Sequence, residues 1–60
     1  MMTRKDYVTT SAILNKFIEV IPEYSFEALV AEFVTMFKAD NDRFLAERFE
    51  DACYADDEAN

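Results

Sequence analysis

The sixty-residue chain has no histidine, no glycine and no tryptophan, and it holds a single cysteine and a single proline. Each scarcity excludes something. One cysteine cannot form an internal disulfide, and without histidine the chain falls short of the four Cys/His ligands of a structural zinc site. The commonest general base is absent as well. Apolar runs are short, well under the roughly 20 residues that span a bilayer. The start, Met-Met-Thr-Arg-Lys-Asp, has no hydrophobic stretch behind it and does not read as a secretory signal. Basic residues are also few, 6 against 13 acids, for a formal charge of -7.

What is present is apolar and aromatic: 52% of the residues are hydrophobic and 15% aromatic. Length allows one domain, and a core this small is marginal without staples. Stability must therefore come from dense packing, from a partner, or from both. Phe17, Phe26, Phe33, Phe37, Phe44 and Phe49, with Tyr7, Tyr24 and Tyr54, supply the bulk, because large rings dominate core and interface energetics.

Periodicity predicts three helices, over about 4–21, 26–39 and 43–54, in an all-α mini-bundle. Tyr7, Leu14, Phe17, Ile18 and Ile21 follow the 3.6-residue period of the first. Thr3 and Asp6 have capping-box spacing at its start, and Thr9, Thr10 and Ser11 compete for backbone hydrogen bonds inside it. Pro22 stops it. Ser25 is the expected N-cap of the second helix, with Tyr24 and Leu29 placed as a hydrophobic staple. The apolar stripe of that helix holds Phe26, Leu29, Val30, Phe33, Met36 and Phe37. Asp40-Asn41-Asp42 reads as a turn that caps the third helix at Asn41 or Asp42. It is not a calcium loop, since Leu45 occupies the position where such a loop needs glycine. Leu45, Phe49, Ala52 and Cys53 form the third apolar face, with Phe44 at the elbow. Residues 1–54 make the domain; 55–60 are an acidic, disordered tail.

The negative charge is uneven. Residues 50–60 hold five acids and no base, leaving eight acids against six bases in the rest. Glu19, Glu23, Glu27, Glu32, Glu47, Glu50 and Asp51 are candidates for an acidic face that imitates DNA and blocks a restriction enzyme, nuclease or polymerase. Lys16, Lys38, Arg43 and Arg48 interrupt that face, so an ordinary solvated surface is favoured. The same acids argue against direct DNA reading by the third helix. Glu23/Glu27 and Glu47/Asp51 have no histidine beside them and read as solvated pairs, so no catalytic, metal or cofactor site is expected. Cys53, flanked by acids, reads as a small core residue in a reducing setting.

Six phenylalanines are more than three short helices readily cover. Surplus rings point to a protein partner, with a second copy of the chain as a candidate homodimer, and no nucleic acid or membrane. The aromatic candidates for that contact are Tyr7, Tyr24, Phe33, Phe37, Phe44 and Tyr54.

Two stretches, Thr3-Arg4-Lys5-Asp6-Tyr7 and Ala39 through Cys53 (Ala-Asp-Asn-Asp-Arg-Phe-Leu-Ala-Glu-Arg-Phe-Glu-Asp-Ala-Cys), resemble a set of very small bacteriophage and prophage proteins of unknown function. Those open with Thr-Arg-Lys-Asp/His-aromatic and close with a pattern like Ala-Asp-Asn-Pro-Arg-Phe-Asp-x-x-Arg-Phe-x-x-Ala-Cys. The likeness spans most of the helical region, and the middle helix shares only its amphipathic character. Here Asp42 stands in place of that proline, Leu45 in place of the aspartate, and Tyr54 in place of a glycine stop. The resemblance implies a phage accessory product acting in a bacterial cytoplasm; taken with the missing catalytic chemistry and the surplus aromatics, the chain reads as non-enzymatic, a binding and modulating protein or a minor structural or assembly component.

Overall fold

In the computed structural model, which describes residues 2–55, three helices pack around a core of aromatic rings, with no strand among the described residues. They are α1 (Arg4–Asn15), α2 (Glu23–Asp40) and α3 (Ala46–Cys53). The all-α expectation holds and the boundaries move. The expected acidic tail lies, apart from Ala55, outside the described residues.

At the start of α1 the Thr3/Asp6 capping box forms. The Asp6 carboxylate accepts the Thr3 backbone N–H at 2.9 Å and the Thr3 hydroxyl at 3.3 Å. Thr10 and Ser11 settle their hydroxyls on the carbonyls of Asp6 and Val8, both at 2.8 Å, so the polar cluster stays within the helix. Asp6→Ala removes the cap acceptor and is expected to cost about 1 kcal/mol, read as a lower urea midpoint at unchanged slope.

α1 ends at Asn15, not near Ile21. The backbone continues in tight three-residue bonds, Phe17 N–H to Leu14, Ile18 N–H to Asn15 and Val20 N–H to Phe17. Two causes combine. Pro22 drives the residue before it out of the helical region, and Ile18, Val20 and Ile21 are β-branched, with stiff side chains that suit a helix poorly.

Pro22, with φ near -51°, itself caps α2, and its carbonyl accepts the Phe26 N–H at 2.9 Å. Proline's fixed φ is preorganised for helix entry, so Ser25 falls inside the first turn and is not the cap. The Tyr24/Leu29 staple therefore does not form; Tyr24 is 85% exposed. At the other end Asn41 turns the chain. Its side-chain oxygen accepts the Arg43 N–H at 3.0 Å, and its carbonyl accepts the Phe44 N–H at 2.9 Å. This Asx turn occupies the residues expected to extend α3 backwards, so α3 begins at Ala46 with Leu45 as its cap residue.

The Met2 backbone N–H donates to Asp40 Oδ2 at 2.8 Å, placing the start of α1 beside the end of α2. α1 and α3 run side by side in the same direction: the Tyr7 and Phe44 rings meet at 4.7 Å at one end, and Asn15 reaches Cys53 and Ala55 at the other. Leu14, Phe26, Val30, Phe37, Phe44, Phe49 and Cys53 fill the space between the three helices.

Candidate functional site

The aromatic candidates divide into core and surface. Phe37 is fully buried and Phe44 nearly so. Phe37 meets Tyr7 at 4.9 Å, Phe44 at 5.4 Å and Phe49 at 5.3 Å, the last pair almost perpendicular. Tilted and edge-on pairs at these spacings match the positive ring edge to the negative face. Phe37 and Phe44 are thus the centre of the folded chain, and Phe37 offers no surface to a partner. Tyr7 and Phe33 are half-buried against them, Tyr7 bonding its hydroxyl to the Met2 carbonyl at 3.3 Å. Tyr24 and Tyr54 remain exposed, Tyr54 with its ring edge-on to Phe26 at 5.3 Å.

Two depressions flank α3. One, of about 440 Å³, lies along α1 and α3 and is lined by Tyr7, Val8, Phe44 and Leu45, with Arg4, Arg43 and Arg48 on its walls. No carboxylate lines it. Leu45 is 60% exposed and Val8 similarly open, so a guest would find apolar contact as well as charge. The sequence reading missed this groove, because its arginines come from α1, the turn and α3. The other depression, of about 480 Å³, has the opposite character: Glu27 from α2 faces Glu50 and Asp51 from α3, and Tyr54 just after it, across Val30 and Ala31. Burial, and after it the charge of Glu27, pushes the Tyr54 phenol above its ordinary value.

The seven candidate acids do not share one face. Glu27, Glu50 and Asp51 meet in the second depression, while Glu19 and Glu23 lie before and at the start of α2; Glu32 and Glu47 line neither depression. Among the described residues no group of three or more His, Cys, Asp or Glu side chains is arranged to hold a metal ion, and no helix is long and apolar enough to cross a membrane.

Cys53 is buried and unpaired. Burial, and secondarily the charge of Glu50, pushes its thiol from 9.0 up to about 11. The folded state therefore holds the proton more tightly than the unfolded state. That stabilisation is fully present below about pH 9 and is lost as pH rises from about 9 to about 11. Urea midpoints are expected to fall across that window, and less steeply in Cys53→Ala, which removes the titrating group. The same burial makes the native thiol slow to alkylate.

No protein-family model, curated protein or solved structure matches the chain.

Proposed function

We propose that this chain is a non-enzymatic, phage-type accessory protein that acts by binding and modulating a bacterial or phage protein in the host cytoplasm. The observation that carries the reading is the placement of Tyr24, 85% exposed, and Val20, 73% exposed, outside a core that Phe26, Phe37 and Phe49 already close. Tyrosine is among the residues that most often anchor a protein contact, and neighbouring exposed apolar side chains enlarge the patch it offers. The resemblance of Thr3–Tyr7 and Ala39–Cys53 to small phage proteins supplies the setting.

Affinity capture from phage-infected cells, with wild-type chain and Tyr24→Ala in parallel, tests it. A specific protein should be retained by the wild type and depleted about tenfold by the variant, as for loss of an interface anchor. Equal recovery by both, or nothing retained by the wild type, removes the reading. An acidic DNA mimic is the second reading, favoured by Glu27, Glu50 and Asp51 meeting beside Tyr54 and by Glu19 and Glu23 lying toward the same end. It requires salt-sensitive capture of a DNA-binding protein in competition with DNA. Retained capture after charge reversal at Glu19, Glu23, Glu27 and Glu32 would exclude it.

A further inference from the structure

The chain is electrically polar from end to end. Met2 bonded to Asp40 brings together the start of α1, the end of α2 and the turn into α3. That end carries Arg4, Lys5, Lys38, Arg43 and Arg48, which is all but one of the basic residues, mixed with Asp6, Asp40, Asp42 and Glu47. Within it, the α1–α3 groove is the place where three guanidinium groups converge without a carboxylate, over a floor that includes exposed Val8 and Leu45. The opposite end holds the connection from α1 to α2. There Glu19, Glu23 and Glu27 are exposed around Val20 and Tyr24, and Lys16 is the one base.

We propose that the α1–α3 groove receives the acidic, tyrosine-bearing end of a second copy of this chain, so that the protein associates head to tail. The groove asks for a guest with carboxylates around an apolar or aromatic side chain. The Glu19–Glu27 corner has both, with Tyr24 as the ring entering the groove and Glu23 and Glu27 meeting Arg48 and Arg43. Arginine suits this role because its planar guanidinium binds carboxylates in pairs and stacks on aromatic faces. The two surfaces lie at different ends, so the contact is heterologous and propagates into a ring or an open chain. This rests on the interaction reading above and adds a partner to it.

The test is the weight-average mass of the full chain by sedimentation as concentration is raised, at about 20 mM and about 500 mM salt, where screening lengths differ several-fold. The mass is expected to climb above the 7.0 kDa of one chain at low salt and to return to it at high salt. Arg48→Glu and Glu23→Lys should each remain single chains, and an equal mixture should recover association, because each variant's altered surface then meets a complementary one. Both positions are exposed, so each variant is expected to fold, and its circular dichroism spectrum should match that of the wild type. Tyr24→Ala should weaken association about tenfold. A single-chain mass at every concentration in low salt overturns the proposal. So does association that survives high salt or Arg48→Glu, or a mixture that stays monomeric. Both contacts use Tyr24, so a second copy and a bacterial partner compete for it, but Arg48→Glu bears on self-association alone and failure here leaves the search for a bacterial partner standing.

Discussion

Phe37→Ala is expected to leave the chain largely unfolded at room temperature. Phe37 is 0% exposed and its ring joins Tyr7 and Phe33 to Phe44 and Phe49. Truncating a buried phenylalanine costs about 3–5 kcal/mol through lost transfer energy and the cavity left behind. A single core in so short a chain supplies about 3–5 kcal/mol in all, with no disulfide or metal to add to it. Loss and supply are of equal size, so the helical circular dichroism signal should collapse before any denaturant is added. Phe37→Leu retains most of the apolar volume and should stay folded, with a lowered urea midpoint. Retention of a wild-type midpoint by Phe37→Ala would mean that the ring cluster is not the centre of the fold.

Asn15→Ala carries the second largest effect, through two hydrogen bonds. The Asn15 side-chain amide donates to the Cys53 carbonyl at 2.9 Å and to the Ala55 carbonyl at 2.8 Å. These carbonyls lie at and just beyond the end of α3, where a helix leaves acceptors without internal partners. α3 has eight residues and no side-chain cap at its start, so little else local to the sequence holds it. A partly buried acceptor that loses its donor costs about 1–3 kcal/mol. The expected result is a drop of about 2 kcal/mol in unfolding free energy, with amide exchange in α3 accelerated more than in α2. Asn15→Asp should be worse still, since a carboxylate would face two carbonyls. Wild-type exchange rates in α3 for Asn15→Ala would show that the bridge contributes nothing.

Much of the fold was legible in the sequence. Phe26, Val30 and Phe37 followed one helical stripe and became buried, and Thr3 and Asp6 announced their cap. The departures have local causes that act across several residues. Pro22 both loosened the chain behind it and opened α2 ahead of it, a double role that a stop signal does not convey. Asn41 used its side chain for an Asx turn and so delayed α3 to Ala46. The candidate contact residues were legible only as a class. Periodicity identifies an apolar stripe without saying which stripe a neighbouring helix covers, so Phe37 and Phe44 could not be separated from Tyr24 and Tyr54. The arginine groove was hidden for a different reason. Arg4 and Arg48 are far apart in the chain and become neighbours through the parallel packing of α1 and α3.

The division of the rings into a closed core and exposed contact positions is the claim on which the rest depends. It is tested most directly by NMR line broadening from a neutral gadolinium chelate added to dilute chain at high salt. The ring signals of Tyr24 and the methyls of Val20 and Leu45 should broaden strongly, while Phe26, Phe37 and Phe49 stay sharp. A protected Tyr24 ring, or Phe37 broadened to the same degree as Tyr24, would contradict it.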